Sequence, residues 1–244
     1  MKQSVFTLER SRRLTGDVWE LALAGDTSAM TAPGQFVNIQ LLGKYLRRPI
    51  SVCDWDGAGV KLLVKEAGEG TRMLARMASG TELDVLTGLG NGFDLSRAEE
   101  SAVLAGGGIG VAPLYGLARR MAEAGVPVTV ALGFPSKEDV FYREEFAALG
   151  CRVLTATQDG SLGVHGLVTD LLRDLECSYV MACGPTPMLR AVCALPGITG
   201  GQFSFEARMA CGFGACVGCS IPTANGPRRV CKDGPVFNKE EILW

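Results

Sequence analysis

Histidine is nearly missing from this chain: one in 244 residues, His165, in the glycine-rich stretch "GSLGVHGLVTD". A Ser/His/Asp or Cys/His catalytic unit is not expected from such a sequence. A lone imidazole in that setting reads as a surface or ribose-contacting group. Surplus charge is missing too. With 24 Lys and Arg against 26 Asp and Glu, the formal net charge is −2. No basic excess points to nucleic acid, and no acidic tail points to a basic partner. Long apolar runs are also absent. Stretches such as "VLAGGGIGVAPLYGLA" are broken by glycine and too short to span a bilayer. The opening "MKQSVFTLERSRRLTGDVW" carries charge early and lacks the pattern of a secretory leader. The expectation is a cytoplasmic chain that engages neither membrane nor nucleic acid. Hydrophobic residues make up 47 % and charged residues 20 %, which calls for a packed core.

Cysteine, by contrast, is abundant, with nine residues. In a reducing compartment these are not expected to pair as disulfides, and clustered thiols there serve metal or redox chemistry. Cys211, Cys216, Cys219 and Cys231 fall in "ACGFGACVGCS" and "RRVCKDGPVF", with the spacing C-x4-C-x2-C-x11-C. Zinc sites usually pair two short C-x2–4-C knuckles. The x4-then-x2 order is the plant-type 2Fe–2S spacing, and intervening glycines let a loop wrap a cluster and aim N–H groups at its sulfurs. The order and the glycines favour 2Fe–2S over zinc, and either over plain buried thiols. Cys53, Cys151, Cys177, Cys183 and Cys193 are scattered, and most of them read as packing residues.

The chain changes character along its length. Residues 1–97 read as β-rich, in "QFVNIQLL", "GVKLLVKEAG" and "TELDVLTGLGNGF", with one helix in "GTRMLARMASG". A small antiparallel β-barrel is expected. "FDLSRAEE" reads as a joint. Residues 98–200 alternate strands ("SAVLAGGG", "VPVTVALGF", "CRVLTAT", "SYVMACG") with helices ("VAPLYGLARRMAEAG", "KEDVFYREEFAALG", "GLVTDLLRDLE", "PTPMLRAVCAL"). Such alternation makes an α/β domain on a parallel sheet. Residues 201–244 are Gly- and Cys-rich without a period of their own, a segment small enough to need a staple. The basic pairs in "SRRLTG" and "GPRRV" read as solvated.

Two strand–turn–helix junctions stand out. In "VLAGGGIGVAPL" the glycines, Gly107, Gly108 and Gly110 among them, let backbone N–H groups approach an anion such as a dinucleotide pyrophosphate. The pattern is not G-x-G-x-x-G. In "MACGPTPMLRA", Cys183, Gly184 and Pro185 sit where a parallel sheet ends, although Cys183 reads equally as a small buried hydrophobe. "YLRRPISVCDW" could bring Arg48 to a phosphate, but an edge strand with a solvated arginine accounts for the pattern as well. "EAGEGTRML" could be a second anion cradle or a simple capped turn.

Taken in order, "RRPIS", "AGEGT", "GGGIGVAPL" and "CGPTPML" resemble the ferredoxin-NADP reductase superfamily. With "CGFGACVGC…VCKDGPVF" added, the whole chain resembles the electron-transfer subunits of class 1B dihydroorotate dehydrogenases. That resemblance implies FAD at Arg48, Pro49, Ile50, Ser51, Gly70 and Thr71. It implies NAD at Gly107, Gly108, Gly110, Cys183, Gly184 and Pro185, and a 2Fe–2S cluster on the four clustered cysteines. It further implies a heterotetramer with an FMN-containing catalytic subunit that oxidises dihydroorotate in pyrimidine biosynthesis. Electrons would pass through the cluster and FAD to NAD+. Acid–base chemistry would then belong to the partner, and no catalytic residue is expected here. Phe213 and Val217 would either touch the partner or shield the cluster. Glu138 and Asp139 would repel a 2′-phosphate if they lie near the ribose. The rival readings are a flavin and iron–sulfur reductase serving another acceptor, and a zinc-stapled nucleotide-sensing module.

Overall fold

Phe6, Leu8, Leu21, Leu23, Leu62, Val64 and Val85 alternate along short strands, and burying them on one side curls those strands into a closed barrel. Closure removes the edges that an open sheet would expose. The computed structural model describes residues 1–97 and 101–244. The joint expected in "FDLSRAEE" thus lies partly outside the described residues. The barrel strands are β1 (Lys2–Arg13), β2 (Val18–Ala24), β3 (Phe36–Ile39), β4 (Arg48–Trp55), β5 (Gly59–Lys65) and β6 (Glu82–Leu89), with helix α1 (Glu69–Ala75) between the last two. They pair antiparallel in the order β1-β2-β5-β4-β3-β6.

Next come β7 (Ala102–Gly107), α2 (Ala112–Glu123), β8 (Val128–Phe134), α3 (Arg143–Ala148), β9 (Arg152–Thr157), β10 (Val164–His165), α4 (Val168–Arg173), β11 (Tyr179–Cys183), α5 (Thr186–Cys193) and β12 (Gly200–Ser204). After the small hairpin β13 (Ser220–Ile221) and β14 (Arg228–Arg229), strand β15 (Val236–Asn238) returns to the sheet. The sheet order is β10-β9-β8-β7-β11-β12-β15, parallel except for the antiparallel edge β12–β15. The chain winds one way from β7 to β8 and β9 and the other way through β11 and β12. The β7/β11 boundary is therefore the switch point, where open α/β sheets bind ligands. Among the described residues no helix is long and apolar enough to cross a membrane.

Three expectations change. "KEDVFYREEFAALG" is not one helix. A 3-10 turn at Lys137–Asp139 ends where the Asp139 carboxylate accepts the Ser136 hydroxyl (2.8 Å), and Tyr142 adopts a left-handed φ of 64° before α3 starts. Gly200–Ser204, which has no strand period in the sequence, is a sheet strand. Gly201 to Ser204 are all buried, and a strand covered on both faces loses its alternation. The two basic pairs are not simply solvated. Arg12 pairs with the buried Glu20 (3.1 Å), and Arg229 pairs with Asp233 (3.3 Å).

Candidate functional site

A cleft of about 220 Å³ opens between barrel and sheet. The barrel wall includes Phe36 of β3, Pro49, Ile50 and Ser51 of β4, and Thr71 of α1. The sheet wall includes Ile109, Ala112 and Cys183. Phe205, Glu206, Ala207 and Met209 close the third side. Residues far apart in sequence thus converge because β4 and the β7/β11 switch point face each other. The Arg48 guanidinium lies against Gly70, so closely that any side chain there would strike it. A bare backbone beside a fixed cation suits a diphosphate. The Thr71 hydroxyl is already engaged. It donates to the Gly68 carbonyl (3.1 Å) and accepts the Ala67 and Gly68 N–H groups at 3.0 and 3.1 Å.

Across the cleft, the two junctions interlock. A Cβ on Gly110 would lie 2.5 Å from the Cys183 carbonyl and from Gly184. Gly107 abuts Met188, with Pro185 at the N-cap of α5. Gly108 has φ 52° and open space where a side chain would be. Burial pushes the Cys183 thiol up to about 12, and the Glu206 carboxylate adds to the shift. Cys183 is therefore a neutral thiol that offers an apolar, polarizable surface. The Glu138 side chain is exposed, while the Asp139 carboxylate is turned back onto Ser136. His165 is exposed on the two-residue strand β10.

Glu206 escaped the sequence reading. Its carboxyl stands at the mouth of the cleft against apolar walls. That desolvation pushes it above the usual carboxylate range, with Lys65 opposing. The usable signal was a single acid following the buried run "GQFSF". Asn38 was also missed. This buried β3 side chain donates to the Cys211 carbonyl at 3.0 Å and ties the cysteine loop to the barrel.

The four cysteines form two pairs. Cys211 Sγ and Cys216 Sγ stand 3.4 Å apart, and the Cys231 N–H donates to Cys219 Sγ at 3.4 Å. Among the described residues no group of three or more His, Cys, Asp or Glu side chains is arranged around one metal point. Two cysteines on each of two irons is the donor set of a 2Fe–2S cluster, so the pairs fit it. Burial pushes the Cys211 thiol up, but the backbone N–H groups of Phe213, Cys216 and Ala215 and the Cys216 thiol outweigh it and hold Cys211 at about 6. N–H groups aimed at that sulfur would stabilise a thiolate ligand. Cys219 and Cys231 are buried in the sheet's core, and burial pushes Cys231 up to about 12. Gly212 has φ 73° and packs on Asn38 where a side chain would collide. Arg229 braces the loop by donating to the Gly214 carbonyl at 2.8 Å. Met209 lines the cleft and Cys211 lies two residues on, a reach of at most about 7 Å.

A closed antiparallel barrel, a switch-point sheet and a cysteine loop at their junction define a flavin- and nicotinamide-dependent iron–sulfur oxidoreductase. Residues 104–194 match the oxidoreductase NAD-binding domain, and residues 206–243 match the iron-sulfur cluster binding domain of dihydroorotate dehydrogenase B. A solved NADH-dependent reduced ferredoxin-NADP oxidoreductase superposes with a TM-score of 0.87 at 30 % identity, over 98 % of this chain and 90 % of the other. The ferredoxin NADP+ reductase of Neisseria gonorrhoeae, solved with FAD and NADP, shares the fold at a TM-score of 0.67 and 17 % identity, over 79 % and 89 % of the two chains. The dihydroorotate dehydrogenase B (NAD(+)) electron transfer subunit of Geobacillus sp. (strain WCH70) is 41 % identical over 100 % of this chain and 99 % of its own. That of Shouchella clausii (strain KSM-K16) is 42 % identical over 99 % and 98 %. The chain belongs to the family of dihydroorotate dehydrogenase B electron transfer subunits.

Proposed function

We propose that this chain relays electrons from a dihydroorotate-oxidising FMN subunit to NAD+, as the electron-transfer part of a cytoplasmic heterotetramer in pyrimidine biosynthesis. In this reading residues 1–97 hold FAD, residues 98–200 hold NAD and residues 201–244 hold the cluster, with β12 lent to the sheet. Arg48 and the bare backbone of Gly70 bind the FAD diphosphate. Pro49, Ile50 and Ser51 present one strand to the flavin ring, and Thr71 closes the end of the cleft. Gly107, Gly108 and Gly110 make room for the NAD pyrophosphate. Cys183, Gly184 and Pro185 form the floor for the nicotinamide. Cys211 and Cys216 ligate one iron, Cys219 and Cys231 the other. When bound, FAD supplies exchange between hydride and single electrons, and the cluster supplies single-electron transfer. The protein orients these groups and keeps water from them.

The observation that carries this reading is the two-residue step from Met209, in the cleft wall, to Cys211. A cluster on the loop would stand beside the flavin ring. Coexpression with an FMN subunit tests it: the purified complex should form NADH from dihydroorotate and NAD+, and its mass should give the stoichiometry. The likeness to the ferredoxin-NADP oxidoreductase structure keeps a second reading open, in which another acceptor replaces the FMN subunit. A complex with flavin and iron that reduces no NAD+ from dihydroorotate would favour it. Zinc without visible absorbance would favour the nucleotide-sensing alternative.

A further inference from the structure

We infer that Tyr142 and Glu20 are positioning residues: their buried contact fixes the barrel against the nucleotide sheet and so sets the spacing of flavin and nicotinamide. This rests on the flavin–nicotinamide reading above. Tyr142 is the one non-glycine residue with positive φ among the described residues. A bulky side chain holds that conformation only where its surroundings over-determine it. Here the turn drives the ring inward to 2 % exposure, edge-on to Tyr115 at 5.0 Å between centroids. Its hydroxyl donates to Glu20 Oε2 of the barrel at 2.8 Å. Glu20 is 3 % exposed and also accepts from Arg10 (3.0 Å) and Arg12 (3.1 Å). Arg12 reaches on to Glu145 of α3 at 3.6 Å. One buried carboxylate is thus shared between the barrel's arginines and the sheet's tyrosine, and it needs all three partners to offset its desolvation.

The fastener lies directly behind the cleft. β4 presents Ser51 to the cleft. Two residues on, and about 7 Å along the strand, the buried Cys53 belongs to the same core cluster as Tyr142. The same strand is clamped a second time by α2. Arg119 forks Asp54 at 2.8–3.0 Å, and Arg120 stacks on Trp55 at 3.6 Å. Gly116 lets α2 approach, since a Cβ there would lie 2.7 Å from the Cys53 carbonyl. α2 in turn begins at Ala112, in the sheet wall of the cleft. One strand and one helix therefore connect the fastener to both halves of the hydride site. Small misplacement of reacting groups there is costly.

The test uses the FAD-loaded protein. Tyr142→Phe keeps the ring and removes the hydroxyl; Glu20→Gln removes the charge. Both should slow NADH-to-FAD hydride transfer by about tenfold or more and weaken the long-wavelength charge-transfer absorbance of the NADH–flavin complex. Alkylation of Cys53, read by peptide mass spectrometry, should speed up while FAD content stays constant. Should either variant fail to fold, Gly116→Ala carries the test. It keeps both residues and wedges α2 off β4, and must produce the same three changes. A lower melting temperature with wild-type hydride transfer and charge-transfer absorbance would make the contact a structural fastener only and overturn the inference. Failure of the wild type itself to reduce its FAD with NADH would instead overturn the proposed function.

Discussion

Arg48 and Glu206 show how differently single residues carry this site. Arg48 lies against Gly70, whose bare backbone leaves room for the guanidinium that any side chain there would strike. Arg48→Ala should weaken FAD binding by about 1.5–3 kcal/mol, the usual cost of losing a hydrogen bond to a charged group, as read by flavin-fluorescence titration. Unchanged affinity would return Arg48 to a plain surface role. Glu206 is exposed at the cleft mouth, yet desolvation by its surroundings raises its carboxyl above the ordinary range, with Lys65 opposing. A raised value means that the folded chain prefers the neutral acid. The stability this contributes is full below the ordinary carboxylate range and is lost as pH rises through the raised value. Glu206→Gln should therefore gain melting temperature relative to wild type across that window and match its pH trend below it. Parallel profiles throughout would show that Glu206 is not desolvated. The glycine junctions and the cysteine spacing stand out in the sequence because their patterns are local, whereas Arg48 stands out only through the family resemblance. Glu206 and Asn38 do not stand out, because only the fold brings the one to the cleft and the other to the Cys211 carbonyl.

At the scale of elements, the β7 and β11 junctions depend on contact between backbones. Gly110→Ala would push a methyl into the Cys183 carbonyl and Gly184. It should cost about 1–3 kcal/mol of stability and weaken NAD binding more than FAD binding, measured by denaturation and by two ligand titrations. Equal stability and NAD affinity would mean that the junctions are loosely packed. The β-rich composition of segments bounded by glycine and proline, and the repeat of strand and helix after Ser101, made the barrel and parallel sheet readable. The break at Tyr142 was not readable, because "KEDVFYREEFAALG" has helical composition and the contact that accompanies the turn is with Glu20, far away in the sequence. Strand β12 was hidden because both its faces are covered.

Considered whole, the molecule places its cysteine loop as an excursion rooted between paired strands β12 and β15. Cys219, Val230 and Cys231 are anchored in the sheet's core, whereas Phe213 and Val217 are 44 % and 75 % exposed. Apolar side chains left in solvent beside a redox loop suit a partner surface. Hydrogen exchange should show protection of residues 209–220 on complex formation, and protection confined to the α/β sheet would contradict it. The central claim is that electrons reach NAD+ through the cysteine loop. The most direct measurement is dihydroorotate-driven NADH formation by the complex carrying Cys219→Ser, alongside NADH-to-FAD transfer in the same preparation. The account predicts that the first is abolished and the second persists, because only the first passes through the cluster. Full dihydroorotate-driven NADH formation by a variant shown to lack iron would contradict it.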